Sequence, residues 1–179
     1  TTENNRKVTT IIVDETKLKD KLASVRNGYE LVIPVSNGSD TVISELNAHL
    51  VKNMENKAAV LKVVTETATY TLPAAQIHVD AVSESIGKDV PLEDIKIRIE
   101  MNVLQKEQIR PDETGNIRVI APLVEFNITA IYGDKSVTVE RFNAYVQISI
   151  AIPEGVDPGK ITTGVVVQSD GTHRHVPTS

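Results

Sequence analysis

Runs in which apolar and polar residues alternate at every second position dominate this chain, and they crowd together in its last third. Val124-Glu-Phe-Asn-Ile-Thr-Ala-Ile-Tyr132 alternates in this way, Gly133-Asp134 offers a turn, and Ser136-Val-Thr-Val139 begins a second run. A third, Ala144 to Ile152, is closed by Pro153. Thr163 to Val167 and His173 to Val176 flank Ser169-Asp170-Gly171, a hairpin signal. Period-two patterning means one packed face and one wet face, so these runs predict antiparallel sheet, half of a sandwich.

The earlier part mixes periods. Residues 1–6 are polar and read as a frayed end. Val8 to Val13 is a short apolar strand, and Asp14 can cap a helix over Glu15 to Arg26, where Leu18, Leu22 and Val25 fall at helical spacing. Asn27-Gly28 ends that helix. Tyr29 to Ser36 is a strand, Asn37-Gly-Ser-Asp40 a turn, and Thr41 to Leu46 a strand running back from it. Ala48, Leu50, Val51 and Met54 suit a second helix, whose start between Leu46 and His49 the pattern leaves open. Ala59 to Thr65 and Thr67 to Leu72 form a hairpin, Pro73 can open a short helix, and Ile77, Val82 and Ile86 make a stripe stopped by Gly87. Beyond Leu92, Ile95, Ile97 and Ile99 alternate with Lys96, Arg98 and Glu100, a strand again. Polar residues 104–116, with Pro111 and Gly115, read as a long loop.

The fold class expected is therefore α+β and β-rich: an α+β part over residues 7–103, followed by an antiparallel, β-sandwich-like part over 117–178. Joined by loop 104–116, they form one compact unit or two lobes that share a sheet.

Composition narrows the chemistry. The 179 residues suffice for a real core, but only 3% are aromatic and none is Trp, so that core is built from Val, Ile, Leu and Ala. A net charge of −5, with cations scattered among acids, argues against nucleic acid and against membrane surfaces. The absence of cysteine removes disulfides, thiolate zinc sites and cysteine nucleophiles together. No run approaches the roughly 18 apolar residues of a membrane-spanning helix. A start at Thr1 without Met or leader pattern suggests a processed product or an excised module.

Candidate reactive groups are sparse. His173 and His175 share a strand face, as a zinc or copper pair would, yet no third ligand stands beside them and the pair reads as a wet strand face. His49 and His78 stand alone. Asp80, Glu84, Asp89, Glu93 and Asp94 form an acidic group without the spacing of a calcium loop, and solvation accounts for it. There is no Gly-x-Ser-x-Gly elbow and no glycine-rich phosphate loop. We therefore expect no catalytic residues, no cofactor and no metal. The rings offer one binding possibility: Phe126 and Tyr132 should share a face, Phe142 and Tyr145 should oppose each other, and one ring on each strand should be core. Tyr132 and Tyr145 are then the candidate carbohydrate contacts.

The order of these pieces resembles a module of large bacterial cell-surface proteins, of the kind found upstream of S-layer homology repeats. The segments that carry the likeness are Ile33-Pro-Val35, Thr41-Val-Ile-Ser-Glu-Leu46, Ala59-Val-Leu-Lys-Val-Val64 and Ala68-Thr-Tyr-Thr-Leu-Pro-Ala74. More distinctive are Val124-Glu-Phe, Tyr132-Gly-Asp-Lys, Arg141-Phe-Asn-Ala-Tyr145, Ile150-Ala-Ile-Pro-Glu-Gly-Val-Asp157, Thr163-Gly-Val-Val-Val, Asp170-Gly-Thr and His175-Val-Pro177. Together they cover residues 8–178. The resemblance implies secretion, an extracellular location at the bacterial cell surface, and a non-catalytic spacer or interaction role. Its partners would be other surface modules or wall polymer. The alternative expectation is a carbohydrate-binding module acting on polysaccharide.

Overall fold

A computed structural model describes residues 1–3, 6–104, 120–139, 142, 144, 146–167 and 173–178. The chain runs β1 (Thr2–Glu3), β2 (Arg6–Ile12), α1 (Glu15–Ser24), β3 (Glu30–Val35), β4 (Thr41–Asn47), α2 (Ala48–Asn56), β5 (Val60–Thr65), β6 (Ala68–Pro73), α3 (Val79–Ile86), β7 (Lys96–Leu104), β8 (Leu123–Tyr132), β9 (Lys135–Thr138), β10 (Gln147–Ile150), β11 (Gly164–Val167) and β12 (His173–Val176). The fold is α+β and rich in strand.

Two sheets carry the architecture. One has the order β1-β2-β4-β7-β8-β9, the other β10-β6-β5-β3, and β11 pairs with β12 in a sheet of their own. Of the loop expected over 104–116, Leu104 ends β7 and the rest lies outside the described residues; strands on both sides of it complete common sheets, β8 and β9 extending the first and β10 closing one side of the second. Most neighbours are antiparallel, but β2 with β4 and β3 with β5 are parallel.

Alternation decides which side chains meet. Val42, Ser44 and Leu46 of β4 stand level with Met101, Ile99 and Ile97 of β7, and these with Phe126, Ile128 and Ala130 of β8. Ile33 and Val35, Leu61 and Val63, and Ala68, Tyr70 and Leu72 supply the buried face of the second sheet. The faces meet where the Tyr70 and Phe126 rings stack, their centroids 4.3 Å apart. With Leu18 and Leu22 of α1, Leu50, Val51 and Met54 of α2, and Val79, Val82 and Ile86 of α3, they make one continuous core.

Local chemistry sets the helix starts. The Asp14 carboxylate accepts the Lys17 N–H at 3.0 Å, and the Asn47 side chain accepts the Leu50 N–H at 2.8 Å, so β4 passes straight into α2. The start of α3 is unusual. Its cap, His78, has φ +55° and gives no capping side chain, and Glu55 of α2 accepts the Val79 N–H instead, at 3.0 Å.

The 37–40 turn differs from expectation. It does not fold β4 back onto β3 but carries the chain to the other sheet. Asp40 is the reason: its side chain accepts the Lys7 N–H of β2 at 2.8 Å, and its carbonyl accepts the Val103 N–H of β7 at 2.8 Å.

One inward position breaks the apolar rule. Ser44 is wholly buried opposite Ile99, and its hydroxyl has no partner among the described residues. An unpaired buried hydroxyl costs stability that an apolar side chain does not. Ser44→Ala should therefore raise the unfolding free energy by about 1 kcal/mol, read by chemical denaturation; a loss of stability would show that the hydroxyl is bonded.

Candidate functional site

Four places on the molecule carry polar, aromatic or unpaired groups: the ring set, the polar outer face of the larger sheet, the corner at His78, and the edge of β10.

The rings are divided. Phe126 packs against Tyr70 and the core, so one ring of its pair is spent on packing. Tyr132 ends β8 at the turn to β9 and is 38% exposed, as is Phe142. Tyr145, the second candidate carbohydrate contact, lies outside the described residues, so no platform is formed by the rings that are described. Burial pushes the Tyr70 hydroxyl up to about 12.

The outer face of the larger sheet holds a cross-strand ion cluster. Glu45 of β4 is level with Arg98 of β7; its Oε1 accepts from Arg98 Nη2 at 2.9 Å and Nε at 3.1 Å, and its Oε2 lies 3.2 Å from Lys96 Nζ. Burial alone would raise the Glu45 carboxyl, but the hydrogen bonds and charges of Arg98 and Lys96 outweigh it and hold the group below its ordinary 4.5. Beside it, Thr41 donates to Asn102 Oδ1 at 2.7 Å, and the Asn102 amide donates to Glu100 at 2.8 Å and Glu125 at 3.4 Å. Every member is satisfied within the sheet, so the cluster acts as a register clamp across β4, β7 and β8. A depressed carboxyl stabilises the fold above its unfolded value and loses that contribution as pH falls through the folded one. Acid unfolding below pH 4.5 should thus be partly removed in Glu45→Gln. Because Arg98 and Lys96 are partly solvated, Glu45→Ala should cost only about 1–2 kcal/mol. Denaturation midpoints followed from pH 3 to pH 7 check both (about this range spans the carboxylate values).

At the third place, His78, Glu55, Asp80, Ala75 and Ala81 line a shallow pocket of about 240 Å³. Lys52 bridges Glu55 at 3.3 Å and Asp80 at 2.5 Å. The Asp80 hydrogen bond, helped by Glu55 and opposed by burial, holds the Lys52 ammonium above the ordinary lysine range. These carboxylates are engaged by Lys52, and Glu55 also caps α3, so the corner is a helix-docking joint. Two further histidines have partners: His49 Nδ1 is 3.2 Å from Glu93, and His175 Nδ1 is 3.4 Å from the Thr163 hydroxyl. Among the described residues no three His, Asp or Glu side chains gather as a metal site needs.

The fourth place is different in kind. β10 is an outer strand whose one sheet neighbour is β6. Gln147, Ile148, Ser149 and Ile150 stand opposite Thr71, Tyr70, Thr69 and Ala68, and the Ala151 N–H donates to Thr67 O at 2.7 Å. That last bond sets the phase of the ladder, because hydrogen-bonded and non-bonded pairs alternate in an antiparallel pair. Gln147, Ser149 and Ala151 bond to β6, and the N–H and C=O groups of Ile148 and Ile150 point away from it. Among the described residues no strand lies on that side. The same two residues are 44% and 41% exposed, and Ile152 just beyond is 47% exposed.

Three of the other sheet edges are guarded. β3 has Pro34 and an ion pair of Glu30 with Lys62 at 2.8 Å; β9 carries Lys135; β1 is two residues long and contains Glu3. Prolines, charges and short length are the usual protections of open edges. β10 has neither proline nor charge, and no charged residue occurs from Phe142 to Pro153. Among the described residues β10 is a bare edge, and β11, which pairs with β12 alone, likewise has neither proline nor charge.

No protein-family model, curated protein or solved structure matches the chain. The site rests on its own geometry. The strand expected over 144–152, with its apolar face inward, is present over Gln147–Ile150. What sequence reasoning missed is that this face sits at an outer strand, where a neighbour covers it on one side. The uncharged stretch 142–153 was the available signal. Among the described residues no helix is long and apolar enough to cross a membrane.

Proposed function

We propose that this protein is a non-catalytic spacer and interaction module of a bacterial cell-surface protein, of the S-layer-associated kind, working outside the cell. The observation that carries the interaction role is the bare β10 edge, where unpaired backbone groups and exposed isoleucines coincide at Ile148 and Ile150. Such an edge recognises an extended strand: main-chain hydrogen bonds supply affinity, and alternate side chains supply selectivity. The spacer role is supported by the core shared between the two sheets and by the Glu45 clamp, which fixes the register of β4 and β7 within the larger sheet. The resemblance of residues 8–178 to modules of surface proteins supports the location and the class of partner, neighbouring surface modules.

A synthetic peptide copying residues 146–152, flanked by lysines for solubility, tests the edge. It should bind the intact protein saturably, and a version N-methylated at alternate amides should not. Equal binding of both peptides, or of neither, would contradict the docking role.

A further inference from the structure

We propose that the strand received by β10 is β10 of a second copy of this chain, paired antiparallel about a two-fold axis through Ser149. This rests on the docking role of the β10 edge and names its occupant.

The argument is one of self-complementarity. Outward backbone groups belong to Ile148 and Ile150, placed symmetrically about Ser149. Antiparallel pairing about Ser149 sets Ile148 against Ile150 of the second copy, and Ile150 against its Ile148. Each opposed pair then exchanges an N–H···O=C bond in both directions, as bonded antiparallel pairs do. The side chains agree with the backbone. In Val146-Gln-Ile-Ser-Ile-Ala-Ile152 every even position is β-branched and apolar, so the stripe reads almost the same from either end. Val146 meets Ile152 of the second copy, Ile148 meets Ile150, and Ser149 meets Ser149. Exposed apolar surface at Ile148, Ile150 and Ile152 is thereby covered by its own kind.

Charge does not oppose this contact. The chain carries −5 overall, but no charged residue occurs from Phe142 to Pro153, so like charges are not brought together at the axis. A two-fold contact of one patch with itself is closed, giving a dimer and not a filament. The two smaller sheets become one continuous sheet in the order β3-β5-β6-β10, followed by its mirror order in the second copy.

Two measurements on the full chain test the pairing. In sedimentation equilibrium the wild type should pass from monomer to dimer as concentration rises. Ile148→Pro removes an N–H that faces the open edge and leaves the ladder to β6 intact, so this variant should keep its circular dichroism and associate at least about tenfold more weakly. A strict monomer at every concentration overturns the proposal.

Cysteine placement tests the register, in a chain that has no other thiol. Ser149 faces itself across the axis in a non-bonded pair, with Cα atoms about 4.5 Å apart, within disulfide reach. Ser149→Cys should therefore form a covalent dimer under mild oxidation. Gln147→Cys should not, because its counterpart lies four residues along the strand, about 13 Å away. Equal linking of both variants, or linking of Gln147→Cys alone, overturns the axis. If the peptide of residues 146–152 binds while the chain stays monomeric, the edge docks another protein and the second copy is wrong; if the peptide fails too, the docking role itself fails.

Discussion

Leu50→Ala is expected to lower the unfolding free energy by about 3 to 4 kcal/mol and the melting temperature by about 10 °C. Leu50 is 2% exposed, on the helix that touches α1, α3, β4 and β7. Truncation there removes apolar contacts and leaves a cavity that several elements would have to collapse into together, and such sites relax poorly. Against the total stability of a domain, roughly 5–15 kcal/mol, the loss is large. Val32→Ala is the matched control: Val32 is 49% exposed on the outer face of β3, and its truncation should stay within about 0.5 kcal/mol. Guanidinium unfolding of both variants checks the contrast. Equal effects would mean that α2 is not the hub of the core.

The second large effect concerns alkaline pH. Burial pushes the Tyr70 hydroxyl from its ordinary 10.0 up to about 12. The folded state thus favours the neutral phenol more than the unfolded chain does. That contribution is fully present below pH 10 and is lost as pH rises towards 12. The gap corresponds to about 3 kcal/mol. Stability should therefore fall steeply between those values, and Tyr70→Phe, which keeps the ring stacked on Phe126, should lack that share of the fall. Lysines titrate in the same range, so the difference between the two proteins is the quantity to read. Parallel curves would place the Tyr70 hydroxyl in water.

Much of the fold was legible in local pattern. Ile97 and Ile99 alternating with Lys96, Arg98 and Glu100 marked β7, and Leu18 and Leu22 marked the buried stripe of α1. Pairing was less legible, because period reports which face is buried and not which strand lies alongside. The 37–40 turn resembled a hairpin until Asp40 reached Lys7 and Val103 across the fold. The parallel pairs β2 with β4 and β3 with β5 leave no trace in alternation, since Val8 pairs with the distant Thr41 and Glu30 with the distant Val60. Ser44 was invisible for a related reason: a serine within an apolar strand does not announce which side it takes.

The candidate site was half legible. Strand character at Gln147–Ile150 followed from the apolar residues at alternate positions of Ala144 to Ile152. That the strand is outermost, and that its bonding phase turns Ile148 and Ile150 outward, depends on β6 and on a single bond from Ala151 to Thr67. The ring hypothesis weakened for a physical reason as well. In a chain so poor in aromatics, Phe126 is needed to fill the space beside Tyr70.

Amide hydrogen exchange across β10, resolved residue by residue in dilute solution, tests the central claim most directly. The account predicts alternation: slow exchange at Gln147, Ser149 and Ala151, whose N–H groups face β6, and fast exchange at Ile148 and Ile150, slowing as the protein is concentrated. Uniform protection along the strand in the dilute monomer, or none at any of the five amides, would mean that β10 is not a bare outer strand.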